Sequence, residues 1–360
     1  MRRGSRFVPL LVVLAGWACT TPTTRPPTIT PEQVRAEQRK QRVLVLEKLY
    51  GQQERLDRIA YPLLTAARPF CGDDAMPWPG FRVLFAEAFP EEWRDAAREA
   101  YALGDTLRVF SVTPGGPAER AGIRPGDRVV RVADHDVGTG AQGARRLFGW
   151  LWSNLAELDT LTVRMLRDGR ALETHVALEP ACAYETVVVP SLALNAFADG
   201  SAVYVTSGMM RFAEDDELAS IVAHEIAHNA RGHLDAAMRN ATLAGLFGLI
   251  GDIATLVAGD TLPEVPYSVY FADRGARAFS RDFEREADYV GLYILARAGH
   301  PLEGAPRIFR EFAVAEPDVI DYSGTHPTHA ERFLLMEAAI REIEGKRERG
   351  EPLEPEAKRE

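Results

Sequence analysis

The stretch His224-Glu225-Ile226-Ala227-His228 constrains this chain more than any other. On a helix its two histidines lie one turn apart on one face, so their imidazoles can converge on a single ion. Glu225 lies beside them, placed to take a proton from water activated at that ion. A hydrolytic zinc site of this kind needs a third protein ligand and keeps a fourth position open. Downstream, Phe283-Glu284-Arg285-Glu286-Ala287-Asp288 offers a carboxylate, with another acid four residues on along the same helical face.

The competing reading is a surface helix that carries two histidines by chance. The flanking residues argue against it. In Glu217-Leu218-Ala219-Ser220-Ile221-Val222-Ala223 the apolar residues recur at helical spacing, and Asp215 or Asp216 is placed to cap the helix start. Two histidine rings left unpaired on such a buried helix would be costly, and a metal removes that cost.

A chain of 360 residues predicts two domains plus tails, and 46% hydrophobic residues suffice for proper cores. The net charge of −10 excludes nucleic acid as the main partner. Residues 1–19 read as an export signal of the lipoprotein type. Met1-Arg2-Arg3 is basic, Val8 to Ala15 is apolar but short for a membrane span, and Ala18 precedes Cys19 as in a bacterial lipobox. Cys19 is thus the expected lipid-bearing N-terminus, with a signal peptide cleaved near Ala18 as the alternative. Residues 20–31, rich in Thr and Pro, read as a flexible tether. The remaining cysteines, Cys71 and Cys182, would face an oxidising compartment and could pair, or stay as buried thiols.

Residues 32–68 carry apolar residues at helical spacing and predict one or two helices, and the Pro- and Gly-rich 69–80 predicts a loop. Next come a strand at Val109-Phe110-Ser111-Val112 and the run Pro114-Gly115-Gly116-Pro117-Ala118-Glu119-Arg120-Ala121-Gly122-Ile123-Arg124-Pro125-Gly126-Asp127, then a strand through Val132. This resembles a PDZ domain of the bacterial protease type, expected over 96–180, with a groove helix at 141–158 and a closing hairpin around Arg167-Asp168-Gly169-Arg170. The resemblance implies a small β-barrel module that takes a C-terminal peptide as an added strand, with Tyr101-Ala102-Leu103-Gly104, in particular Leu103 and Gly104, as the carboxylate loop. A module serving only as a spacer is the alternative. Cys71 and Cys182 bracket this segment, so a bridge would staple its ends.

From about 185 the pattern changes. Val187-Val188-Val189 and Ala202-Val203-Tyr204-Val205-Thr206 read as strands, and a strand beside the metal could hold substrate through backbone bonds. Residues 242–259 are almost wholly apolar, but Gly245, Gly248, Gly251 and Asp252 point to a buried or membrane-apposed helical pair rather than a span. Residues 345–360 alternate in charge and read as a disordered tail.

Four segments, Asn195-Ala196-Phe197-Ala198, Glu217 to His233, Ser280 to Gly299 and Thr325 to Arg332, together resemble the gluzincin metallopeptidases of the HtpX, CAAX protease and BepA type, peptidase family M48, over 185–342. The resemblance implies an α+β chain: the PDZ-like module, then a mainly helical peptidase domain with a small β-sheet. It implies one Zn2+ held by His224, His228 and Glu284, with Glu225 as general base. Asp288 would fix the tautomer of a ligand histidine. His326 would approach the zinc as an extra ligand or donate to the oxyanion, and Arg332 would hold that loop. Glu286, on another helical face, reads as a solvent or salt-bridge residue, and His233 as structural. The implied function is envelope quality control from the periplasmic side, lipid-anchored to the outer membrane, on unfolded or misassembled polypeptides. The alternative is an envelope binding or chaperone-like factor with a silenced or structural metal site.

Overall fold

The computed structural model describes residues 24–239, 267–315 and 330–357. The export signal with Cys19, the apolar stretch 242–259 and Thr325-His326-Pro327 lie outside those residues. No helix among the described residues is long and apolar enough to cross a membrane.

Helix α1 (Pro31–Ala66) is one continuous helix. Its start is sharply defined. The Thr30 hydroxyl accepts from the Gln33 N–H, the Gln33 side chain accepts from the Thr30 N–H, and Pro31 follows. Its first turns are exposed, while its second half buries Leu56, Ile59, Ala60, Leu63 and Leu64.

The predicted loop at 69–80 is more ordered than its prolines suggest. Strand β1 (Ala75–Trp78) pairs with β8 (Glu179–Cys182), and Pro77 is tolerated because this sheet has only two strands. Ala75 lies opposite Cys182, and Cys71 and Cys182 are joined as a disulfide with Cα atoms 5.9 Å apart.

Between these ends lies an antiparallel sheet of β2 (Phe81–Leu84), β3 (Arg108–Val112), β4 (Arg128–Val132), β6 (Thr160–Arg167) and β7 (Arg170–Ala177), in that spatial order, with the two-residue β5 (His135–Asp136) against β4. Helices α2 (Glu91–Tyr101), α3 (Pro117–Arg120) and α4 (Gly140–Asn154) fill the connections. The module therefore starts near residue 81 and not at 96. Phe81 and Val83 pack on the same apolar cluster as Val109, Leu161 and Val163. Asp168 and Gly169 both have positive φ, which suits the tight β6–β7 hairpin turn. The buried Asp127 accepts from the Arg124 N–H and pairs with Arg167, locking the Pro-Gly-Asp turn to that hairpin.

The expected carboxylate loop is displaced. Tyr101 ends α2, Leu103 is buried with Ala86, Phe89 and Ala97, and the Gly104 carbonyl accepts from the Ala86 N–H. The edge strand β2 is preceded instead by Trp78-Pro79-Gly80. The signal lay in the alternating Phe81-Arg82-Val83-Leu84, which precedes the segment assigned to the module.

The second unit has a three-stranded sheet in the order β10 (Ala196–Ala198), β11 (Ala202–Thr206), β9 (Glu185–Val189), with β11 parallel to β9 and antiparallel to β10. Among the described residues, helices α5 (Ser207–Phe212), α6 (Asp215–Ala230), α7 (Tyr267–Ala298), α8 (Gly304–Ala315) and α9 (Ala330–Arg349) pack with it. With the first unit this makes an α+β chain. Helix α1 packs on α2, β8, β9, α6 and α7, so one element borders both units. A polar knot marks the seam. Arg82 of β2 donates to both Asp57 oxygens at 2.7 and 2.9 Å, and Gln53 bonds Asp57, the Thr186 carbonyl and the Val188 N–H of β9.

The tail is docked as far as Glu356 rather than disordered over those residues. Lys346 donates to the Glu354 carbonyl at 2.6 Å and pairs with Glu356 at 2.7 Å, while the Glu356 N–H bonds Tyr289. Leu353 packs on the main core.

Candidate metal centre

Helix α6 is capped by Glu214, not by Asp215 or Asp216, through a reciprocal pair of bonds with Glu217. Every residue from Glu217 to Ala227 is buried, because sheet, α1, α7 and α8 all pack around this helix. Such enclosure fixes the rings on its inner face.

His224 and His228 bring their Nε2 atoms to 3.0 Å of each other. Glu284 on α7 faces both, with one oxygen 3.3 Å from His224 Nε2 and the other 3.3 Å from His228 Nε2. These ligand atoms all lie within 4.8 Å of one another. Tetrahedral N and O ligands held at about 2.0–2.1 Å from zinc lie roughly 3.3 Å apart, so the donor set and its spacing fit that ion. Glu225, the next residue after His224, is buried.

The opposite sides of the rings are tied down separately. His224 Nδ1 lies 2.9 Å from Asp288 Oδ1. Arg332 of α9 is 2% exposed and grips both Asp288 oxygens at 2.7 and 2.6 Å. It also reaches Glu284 at 3.2 Å and stacks over the Phe309 ring. One guanidinium thus orients a candidate ligand and the carboxylate behind another. His224, His228, Glu284, Asp288 and Arg332 lie together; Arg332, expected to hold the loop of His326, meets Asp288 and Glu284, and His326 lies outside the described residues.

The electrostatics follow from burial and charge. Burial opposes charging His224, but its bonds with Asp288 and Glu284 outweigh this and carry its pKa up to about 10. His228 is held below its ordinary value, chiefly by burial. Burial also pulls His233 down, with help from His228 beside it. The Asp288 carboxyl is pushed up by burial, yet Arg332 and His224 hold it below the usual range.

Three contributors were not assigned to the site from sequence. Asn229, one position past His228, accepts from the Gly200 N–H at 2.7 Å and donates to the Ala202 carbonyl at 3.0 Å. It clamps the β10–β11 turn to α6. His233 and Glu286, read as structural and as a salt-bridge residue, stand behind His228: His233 Nδ1 lies 3.0 Å from His228 Nδ1, and His233 Nε2 lies 3.2 Å from Glu286. A polar residue repeating on the inner face of an apolar helix was the available signal for Asn229.

A helix bearing two histidines with a glutamate between them, and a third candidate ligand, a carboxylate, from a crossing helix, define a metallopeptidase of the H-E-x-x-H class. The chain belongs to Peptidase family M48, whose family model matches residues 159–340, just over half of its length. A PDZ domain model matches residues 108–148. The chain is similar to the mitochondrial metalloendopeptidase OMA1 of Arabidopsis thaliana, 29% identical over 48% of this chain and 35% of that protein. It is also similar to the beta-barrel assembly-enhancing protease of Yersinia pestis, 32% identical over 33% of this chain and 26% of that protein. The chain therefore spans less than half the length of these relatives. Among solved structures, the HtrA3 PDZ domain bound to a phage-derived ligand covers 30% of this chain and 88% of that one, at 18% identity and a TM-score of 0.22, too low to carry weight.

Proposed function

We propose that the chain is a zinc-dependent endopeptidase of the bacterial envelope that cleaves unfolded or misassembled proteins. The observation that carries this reading is the convergence of His224 Nε2, His228 Nε2 and a Glu284 oxygen within 4.8 Å, with His224 Nδ1 already engaged by Asp288. Zinc, when bound, lowers the pKa of water toward neutrality and polarises a peptide carbonyl. Glu225 takes the proton from the attacking water and passes it to the leaving amine. His326, in the segment outside the described residues, serves as a further ligand or as a donor to the developing oxyanion.

Substrate would lie along β10. In the β10–β11 pair the Thr206 N–H bonds the Asn195 carbonyl and the Asp199 N–H bonds the Ala202 carbonyl. Residues 195, 197 and 199 thus face β11, leaving the backbone groups of Ala196 and Ala198 toward the open edge. A polypeptide can add there as a fourth strand without regard to its sequence. In the PDZ-like module the matching edge is β2. Helix α4 starts beside the turn that follows β2, where the Glu87 carboxylate accepts the Ala141 N–H. Phe148 and Trp152 are exposed on α4, at 43% and 78%. A C-terminal peptide with apolar residues suits that surface, its carboxylate placed toward Trp78-Pro79-Gly80. Lipidation at Cys19 would keep the enzyme at the membrane surface.

The test compares Glu225→Gln with wild type for bound zinc and for cleavage of unfolded casein. The variant is expected to hold zinc equally and to lose turnover by at least about a hundredfold. A variant that cleaves as fast as wild type sinks the reading. Zinc bound by both proteins with cleavage by neither would favour the binding or chaperone-like factor.

A further inference from the structure

We infer that Phe197 is a specificity-determining residue, whose ring, backed by Tyr204, selects an aromatic or large apolar side chain in the strand that adds along β10. This deepens the proposed function and rests on β10 being the edge that takes substrate. The backbone bonds of that edge are blind to sequence. The side chain standing between them is not. Ala196, Val203 and Val205 belong to the buried core, so Phe197 and Tyr204, which face each other across the β10–β11 pair, occupy the other face of the sheet. Phe197 is 40% exposed there. Its own N–H and carbonyl are turned toward β11, so toward an antiparallel strand on the far side it stands at a position without backbone bonds. At such positions facing Cα atoms approach to about 4.5 Å and the side chains come closest. Aromatic and β-branched partners gain most from that approach.

The ring is also held in place before any substrate arrives. Phe197 and Tyr204 stack with centroids 4.9 Å apart and planes 18° from parallel. The Tyr204 hydroxyl donates to one Asp199 oxygen at 2.9 Å. The other Asp199 oxygen accepts from the Ser201 N–H, the Ser201 hydroxyl and the Ala202 N–H at 2.8–2.9 Å. Tyr204 is thus anchored to the β10–β11 turn, the same turn that Asn229 clamps to α6. A platform so braced has little freedom left to lose when a side chain packs on it. Ala196 and Ala198 carry only methyl groups, and their side chains lie on the opposite face. Selection therefore falls on the one substrate residue opposite Phe197.

The experiment uses the full chain carrying Glu225→Gln, with zinc supplied, so that peptides are bound and not consumed. It is compared with the same protein carrying Phe197→Ala as well. The probes are a pair of short alanine- and serine-based peptides, one with a single central phenylalanine and one with alanine there. Both are amidated at the C-terminus to keep them out of the PDZ-like groove. Fluorescence anisotropy should show the phenylalanine peptide binding about 3- to 10-fold tighter with Phe197 present, and that factor should fall to near one with Phe197→Ala. Phe197→Tyr should keep it. An equal factor in both proteins, or no difference between the peptides with Phe197 present, overturns the inference. Should Phe197→Ala fail to fold, Phe197→Thr decides in the same way, since threonine suits a strand. Wild type that leaves both peptides and unfolded casein uncut refutes the peptidase reading, while the binding factors still decide the role of Phe197.

Discussion

Gly291 of α7 lies directly against the backbone of His224. A Cβ at 291 would meet His224 N and Cα at 3.2 Å. The third candidate ligand and the first two come from helices in contact at this point, and neither backbone can yield without moving a ligand. Gly291→Val should therefore destabilise the fold by about 1–3 kcal/mol and weaken zinc binding, although a helix interior ordinarily gains from losing glycine. Urea unfolding and chelator competition on the same preparation check both effects.

Arg332→Met should remove the cation while leaving Asp288 buried, at a cost of about 3–5 kcal/mol. The pH dependence provides a second readout. Arg332 and His224 depress the folded-state pKa of Asp288. Its contribution to stability is present above the unfolded value of about 3.9 and is lost as pH falls through the folded value. Wild type should accordingly lose stability on acidification below about pH 4, and the variant should lose less of it. Denaturation midpoints across that range measure the difference.

Replacing both Cys71 and Cys182 by alanine should cost about 2–4 kcal/mol, because the bridge closes a long loop in the unfolded chain. Their sequence separation is 111 residues, spanning the whole PDZ-like module. The same loss should appear when wild type is melted in a strong reductant, and the double variant should be indifferent to reductant.

Asn229→Ala leaves the Gly200 N–H and the Ala202 carbonyl without their partner and should cost about 1–3 kcal/mol. Because those bonds hold the β10 edge to the helix of the candidate ligands, KM for an unfolded substrate should rise more than kcat falls. Steady-state cleavage of a labelled peptide separates the two.

The candidate site was legible because its chemistry is local. His224, Glu225 and His228 share a helical turn, and Glu284 and Asp288 share another. What escaped notice depends on contacts between distant segments. His233 lies only five residues from His228, yet its polar surroundings are visible only once Glu286 comes round from α7 to its far nitrogen. In the PDZ-like module, strands β3 and β4 announced themselves through their Gly- and Pro-rich turns. Strand β2 did not, because its partner β3 lies beyond α2 and no turn motif joins them. The tail was misread for a similar reason. Lys346, Glu354 and Glu356 look like solvated charges until helix α7 supplies Tyr289 and a wall for Leu353.

The Arg82–Asp57–Gln53 knot has a mechanical corollary. It ties the edge strand β2 and the sheet that ends at β10 to the same stretch of α1. The separation between those two edges is then held like the jaws of a gauge. Were β2 to hold the final residues of a client and β10 to present it for cleavage, as proposed above, the cut would fall at a set distance inward, and a client too short to bridge the gap would be held or cut but not both.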